Sequence, residues 1–343
     1  MHSTKILVVG DVHWSTYSSI VRSRGQKYSV RLEHLIKSLN WAEETAQWYG
    51  CDRVVYLGDF CDRPDLNCEE ITALQEVKWS NCPHTFLVGN HESNMLSLEF
   101  SSTKFFEAIN AEVVDKPISK EYDNFTLSFI PYITTNSVLE LKDYVPNTDK
   151  KKIVFAHQDI AGLKYGAFES QSGFKLDDIK ENCNLFINGH LHNEASYDNV
   201  ILAGNLCGQT FNEDAELYSH SVHLLTIGDN IIVDSYENPY ALNFYKKTIS
   251  DDCNVDELIK SLKNNAVVSF SCSSKKRPEV IEAINNSYKI VEYRTVLTNN
   301  EHTTSDNDYN FIVTDHIEQF IKLAQQKFGS SPELDDELTR LGA

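Results

Sequence analysis

The chain has 343 residues, with 31 Lys+Arg against 50 Asp+Glu and a formal net charge of −19. At roughly 100–200 residues per domain, that length fits two domains with a small appendage. Hydrophobic content of 41% and aromatic content of 11% exclude a mainly disordered chain; no apolar run reaches the ~18 residues of a membrane span; and the acidic balance argues against a DNA binder that relies on a basic surface.

The N-terminus has neither the length nor the small-residue cleavage site of a signal peptide. Cys51, Cys61, Cys68, Cys82, Cys183, Cys207, Cys253 and Cys272 are scattered without a Cys-x-x-Cys pair. That usage predicts reduced thiols and a cytoplasmic setting.

Residues 5–10 read as a buried strand ending in Gly10 and Asp11. Residues 14–30 are polar and read as a loop. Over 31–49, Leu32, Leu35, Ile36, Leu39, Ala42 and Ala46 recur at helical spacing, and Gly50 is a natural stop. Arg53–Leu57 is the next strand and runs into Gly58-Asp59. A helix is expected near 69–79, then a strand His84–Val88 ending in Gly89-Asn90-His91. Strands are expected at 125–130, 152–156 and 184–188. The last two run into His157 and Gly189-His190-Leu191-His192. Residues 200–236 read as further strands.

After about 246 the texture changes. Residues 255–263 suggest a helix, 266–272 a strand, 278–286 a helix and 288–297 a strand, a small αβαβ unit. Residues 299–310 read as a linker. Residues 315–328 form an amphipathic helix pattern with Ile317, Phe320, Ile321, Leu323 and Ala324. Gly329–Ala343 is a short acidic tail. The domain expectation is therefore 1–246, 247–298 and 299–343.

Five expected strands each end in Asp, His or Asn. In open α/β sheets, ligand sites lie beyond the carboxyl ends of the strands, so these side chains are expected on one rim. Asp-x-His and His-x-His spacing on extended backbone puts both side chains on one face. Two carboxylates, an amide oxygen and several imidazoles make a mixed oxygen and nitrogen donor set. Such a set favours a pair of ions such as Mn²⁺, Fe²⁺ or Zn²⁺ over Mg²⁺ or Ca²⁺. Two metals roughly 3.5–4 Å apart suit an in-line phosphoryl displacement.

Asp-Val-His (11–13), Gly-Asp-Phe-Cys-Asp (58–62), Gly-Asn-His-Glu (89–92), His157 and Gly-His-Leu-His (189–192) resemble the five signatures of calcineurin-like metallophosphoesterases. The resemblance implies a four-layer α/β/β/α sandwich. It implies that Asp11, His13, Asp59 and His192 hold one metal. Asp59, Asn90, His157 and His190 would hold the other, so that Asp59 bridges. It makes His91 the unliganded catalytic histidine, protonating the leaving oxygen or steadying the phosphate.

Within that superfamily the layout is most similar to the SbcD branch, the nuclease subunit of double-strand-break repair, in its short bacteriophage-type form. The long 14–50 insertion, the segment Ile201–Glu216 and the small α+β unit at 247–298 carry this likeness. It implies two divalent ions with Mn²⁺ favoured, DNA as substrate, an SbcC-type SMC-like ATPase as partner, and a homodimer within the complex. The small unit would be a DNA-capping domain and the C-terminal helix would dock on the partner. The chain departs from the pattern at Glu92, where Asp is commoner, and at Asp62, a candidate phosphate or DNA contact where many relatives carry His. Asp62-Arg63 also resembles Ser/Thr phosphatases, in which Arg63 could bind phosphate. A protein or nucleotide phosphatase and a non-catalytic scaffold are the alternatives. Arg22, Arg24, Lys27 and Arg31, interleaved with Tyr17 and Tyr28, read equally as a DNA contact or a solvated loop. Lys275-Lys276-Arg277 reads as a solvated loop.

Overall fold

The structure is a computed structural model that describes residues 3–93, 97–165 and 168–298. The expected linker, the amphipathic helix at 315–328 and the acidic tail lie outside the described residues.

Two six-stranded sheets dominate the described residues. One runs in the spatial order Ile231–Glu237, Ser221–Ile227, Thr4–Val9, Arg53–Tyr56, His84–Leu87, Glu112–Val114. Its last four strands are parallel, and the hairpin Ser221–Glu237 adds antiparallel to Thr4–Val9. The other runs Ala195–Tyr197, Val200–Leu202, Leu185–Asn188, Lys151–Ala156, Phe125–Ile130, Ile118–Glu121, parallel through its four central strands.

The sheets stack because their strands are apolar on both faces, the pattern of a sheet covered on both sides. In Thr4–Val9, Ile6 and Val8 face the second sheet, where they meet Leu127, Phe129, Ile153, Phe155 and Ile187. Leu7 and Val9 face the opposite way, towards helices α1 (Val30–Tyr49) and α2 (Cys68–Leu74). On the far side, Val154, Ala156 and Phe186 pack against α3 (Leu176–Asn182) through Ile179. The result is the expected α/β/β/α sandwich.

α1 begins where Ser29 Oγ accepts from the Leu32 N–H at 3.2 Å and ends at Gly50 with φ of 62°. α2 is shorter than the 69–79 expected. An Asn67–Glu70 capping box starts it, and it stops at Leu74. Beyond it, Lys78 N–H donates to Asn40 Oδ1 at 2.7 Å, and Trp79 turns into an aromatic cluster with Tyr56, Phe60, Phe86 and Phe106. Those tertiary contacts outweigh the helical spacing.

The C-terminal unit has the expected helices and strands, as α4 (Val255–Ser261), Ala266–Cys272, α5 (Arg277–Asn285) and Ile290–Leu297. It also has a strand absent from the sequence reading, Asn243–Ile249, which pairs parallel with Ala266–Cys272. The unit is thus βαβαβ, and its first strand runs across residue 247. Its sheet alternates faces. Phe244 and Val267 join the core under α1, while Tyr245, Val268 and Phe270 join α4 and α5. Among the described residues no helix is long and apolar enough to cross a membrane.

Candidate metal centre

The carboxyl ends of Thr4–Val9, Arg53–Tyr56, His84–Leu87, Lys151–Ala156 and Leu185–Asn188 deliver their side chains to one rim. Two His/Asp groups form there. One is Asp11, His13 and His192; the other is Asp59, His157 and His190; a third grouping, His13, Asp59 and His91, connects them.

Backbone conformation makes this possible. His13, Asp59 and His190 have φ of 49°, 45° and 69°, a region that costs non-glycine residues free energy and clusters at functional sites. Gly58 has φ of 108°, and a Cβ there would meet His157 Nδ1 at 2.4 Å. A Cβ at Gly89 would meet Asp59 Oδ1 at 2.2 Å.

Each carboxylate uses one oxygen to hold the loop and turns the other into the cluster. Asp11 Oδ1 accepts from the His190 N–H at 3.0 Å, and Asp59 Oδ1 from the His91 N–H at 2.9 Å. Asp11 Oδ2 is buried with no hydrogen-bond partner. It lies 3.9 Å from both His13 Nε2 and His192 Nε2. Asp59 Oδ2 lies 3.2 Å from His157 Nε2, which is also 3.2 Å from Asn90 Oδ1.

The imidazole tautomers follow from their other nitrogens. His157 Nδ1 is 2.8 Å from the Leu57 carbonyl and His192 Nδ1 is 2.9 Å from Glu213 Oε1. Both partners can only accept, so Nδ1 carries the proton and the Nε2 lone pair faces the cluster. His13 Nε2 and His192 Nε2 are 2.9 Å apart. Ring nitrogens converging at such distances on an orphaned carboxylate oxygen form the environment that a bound cation would satisfy. The donor set therefore fits divalent ions.

Titration reflects the same crowding. Burial would lower the His157 imidazole, but Asp59, Asp11 and Glu92 outweigh it and push it up to about 10, so a cation taken up at Nε2 would displace a proton from it. Burial would raise the Glu213 carboxyl, but the His192 hydrogen bond and charge hold it at about 2. Burial also drives the Glu92 carboxyl well above its ordinary range, helped by Asp59.

His91 stands apart, its side chain 41% exposed. Its Nδ1 is 3.0 Å from the Asp62 carbonyl, which again fixes the proton there and leaves Nε2 free. The imidazoles of His91 and His13 meet edge to face at 4.8 Å.

The remaining candidates sit around this cluster, and only some of them face solvent. Asp62, expected at phosphate or DNA, has its carboxylate 3.1 Å from His13 Nδ1 and accepts from Gln209 Nε2 at 2.9 Å. Arg63 is held by the buried Glu70 at 2.5 Å. Arg24 sits on Glu69 at 2.7 Å, and Arg22 is exposed. Arg31 is not a rim residue at all. It is fully buried and donates to Ser15 Oγ, the Gly208 carbonyl and the His13 carbonyl. Cys61 and Cys207 are buried, and burial raises both thiols, consistent with a centre built without thiolate. Sequence reasoning missed Gln209, Glu213 and Asp159. Glu213 and Gln209 lie in the 201–216 segment it singled out, and Asp159 lies two residues beyond His157, with Oδ1 3.3 Å from His190 Nε2.

The family model for calcineurin-like phosphoesterases matches residues 4–229. The chain belongs to this family, a class of metal-dependent hydrolases. It is similar to "Putative phosphoesterase 244L" of Invertebrate iridescent virus 6, at 30% identity over 142 residues, 39% of this chain and 49% of that protein. It is also similar to "Putative phosphoesterase 078R" of Invertebrate iridescent virus 3, at 26% identity over 179 residues, 48% of this chain and 50% of that protein. The chain thus spans about half the length of the curated relatives it matches. Solved structures with some likeness include a dimetal phosphatase from Danio rerio, with TM-score 0.41 and 12% identity over 68% of this chain and 96% of that one. Another is the NAD nucleotidase NadN of Haemophilus influenzae, with TM-score 0.34 and 12% identity over 94% of this chain and 61% of that one.

Proposed function

We propose that the chain is a two-metal, Mn²⁺-preferring phosphodiesterase that cuts DNA. In this reading it is the nuclease subunit of an SbcCD-like complex, paired as a homodimer with an SMC-like ATPase. The observation that carries the phosphodiesterase reading is the pair of His/Asp clusters joined through Asp59 and His13, with exposed His91 on their solvent side. Divalent ions held by these residues would supply positive charge to the reacting phosphate and lower the pKa of water.

The chain's own residues do the rest. Asp11, His13, Asp59 and His192 would hold one ion, and Asp59, Asn90, His157 and His190 the other. His91, oriented through its Nδ1–H, keeps Nε2 for the leaving oxygen, and in its doubly protonated form would give the Nε2 proton to that oxygen. The DNA reading is supported by the βαβαβ unit beside the rim. Its Glu292 accepts from Ser23 in the loop after the first motif, at 2.5 Å from Oγ. Its Arg294 guanidinium lies 4.5 Å over Phe211.

The test is hydrolysis with Mn²⁺ of bis(p-nitrophenyl) phosphate and linear double-stranded DNA against p-nitrophenyl phosphate. Both diesters are expected to be cleaved. His91→Ala should lower turnover by about 10²–10⁴-fold while two Mn²⁺ remain bound. Cleavage confined to the monoester, and lost in Arg63→Ala, would replace this reading with a protein or nucleotide phosphatase. Absence of any bound transition metal would leave the scaffold reading.

A further inference from the structure

Two carboxylates stand behind the imidazoles of the first cluster, and one glutamine ties them together. Glu213 Oε1 is 2.9 Å from His192 Nδ1, and Asp62 Oδ1 is 3.1 Å from His13 Nδ1. Gln209 donates its side-chain N–H to Asp62 Oδ1 at 2.9 Å and its backbone N–H to Glu213 Oε2 at 2.6 Å. Thr210 adds its hydroxyl to Glu213 Oε1 at 3.3 Å.

We propose that Asp62, Gln209 and Glu213 form a clamp that positions His13 and His192, so that both Nε2 atoms face one ion and that ion is held more tightly than the other. This rests on the two-metal reading above. The three residues act through the imidazoles and are positioning residues.

The chemistry gives the clamp its direction. A carboxylate behind an imidazole draws the proton to the far nitrogen, fixes the ring plane and raises the basicity of the near nitrogen. Here Glu213 hydrogen-bonds the His192 ring, Asp62 faces a His13 Nδ1 that makes no hydrogen bond and acts on it through charge at 3.1 Å, and the two Nε2 atoms end 2.9 Å apart. The loop bearing Gln209 and Glu213 is itself anchored to the first motif. Arg31 donates Nη1 to the Gly208 carbonyl at 3.2 Å and Nη2 to the His13 carbonyl at 3.0 Å. On its other side the loop is held by the βαβαβ unit, where the Ala215 N–H donates to the Phe244 carbonyl at 2.9 Å.

Among the described residues, no side chain ties together the partners of the second cluster's imidazoles. His157 Nδ1 rests on a neutral backbone carbonyl, at 2.8 Å from Leu57 O. His190 Nε2 lies 3.3 Å from Asp159 Oδ1, a partly exposed residue. The clamp therefore predicts a difference between two sites of one protein, which general loss of structure would not produce.

The experiment titrates Mn²⁺ into metal-free protein and reads free Mn²⁺ by electron paramagnetic resonance. His157→Ala leaves the first cluster to be read, and His192→Ala leaves the second. In the His157→Ala background, Glu213→Gln and Asp62→Asn should each weaken binding by roughly 10–100-fold. Gln209→Ala should weaken it less. In the His192→Ala background all three substitutions should leave affinity unchanged. Thermal melting of the metal-free variants checks folding, and Asp62→Asn carries the test if Glu213→Gln does not fold. Equal weakening of both clusters, or of neither, overturns the clamp. Wild-type protein that binds no Mn²⁺ overturns the two-metal reading and the clamp with it.

Discussion

In the proposed two-metal centre Asp59 serves both clusters, and its position is set by what is missing at Gly89. A methyl at Gly89 would meet Asp59 Oδ1 at 2.2 Å and the Asp59 backbone nitrogen at 2.4 Å. Neither atom can yield without moving a carboxylate already held at φ of 45°. Gly89→Ala should therefore weaken Mn²⁺ at both clusters by more than about tenfold, where a Glu213→Gln change weakens one. The same overpacking should cost about 1–3 kcal/mol of stability in the metal-free protein. Calorimetric titration alongside chemical unfolding reads both numbers, and wild-type affinity in Gly89→Ala would refute the steric argument. The ligand candidates were legible at this scale because each follows a strand pattern, and a glycine or an i, i+2 spacing marks most of them. Glu213, Gln209 and Asp159 were not, because they reach the imidazoles from loops whose paths no periodicity encodes. Asp62 was noticed for its position in a motif, but its partner His13 lies in a different one.

Among the elements, α1 shows how pattern and partner divide the information. Its apolar spacing gave its extent, and Gly50 its end. Its buried face also carries Arg31, His34, Ser38 and Glu43, which no amphipathic pattern predicts. Glu43 Oε1 accepts from the Tyr56 hydroxyl at 2.5 Å. Its Oε2 accepts from the Ser80 N–H at 3.0 Å and lies 3.0 Å from His84 Nε2. Burial opposes the charge on Glu43, but these bonds outweigh it and lower its pKa below 4.5. A carboxyl depressed on folding contributes stability in full above its unfolded value, and that contribution is lost as pH falls from there through the folded value. Glu43→Gln, which leaves a buried donor unpaired, should cost about 1–3 kcal/mol at neutral pH. The gap from wild type should narrow progressively below pH 4.5. Urea unfolding of the two proteins between neutral and acid pH measures it, and a gap that stays constant would sink the assignment. The strand Asn243–Ile249 escaped notice for a related reason. Lys246 and Lys247 interrupt its apolar run, and only the docking of Phe244 beneath α1 makes it a strand of a covered sheet.

At the scale of the whole molecule, the charge of −19 sets what the proposed DNA substrate would meet. Two divalent ions would neutralise four of those charges locally, which makes the rim less negative but leaves the surface acidic. The described cations do little to offset this, because many are already engaged. Arg24, Lys27, Arg63, Lys104, Lys120 and Lys180 each sit on a carboxylate. Affinity for duplex DNA comes largely from phosphates neutralised by free Lys and Arg, and each such contact steepens the salt dependence. A strongly net-acidic surface on which many cations are already paired therefore predicts a shallow salt slope as well as weak binding. The Mn²⁺-loaded chain should bind linear duplex DNA no more tightly than the 10⁻⁴–10⁻⁶ M typical of non-specific complexes at physiological salt, on the order of magnitude. Fluorescence anisotropy over a salt series, with the His91→Ala variant to prevent cleavage, measures both quantities. A basic partner subunit added in stoichiometric amount should raise both the affinity and the slope. A tight complex of the chain alone that dissolves steeply with salt would mean that the acidic surface faces away from a cationic path, and that no partner is needed to bring the substrate to the rim.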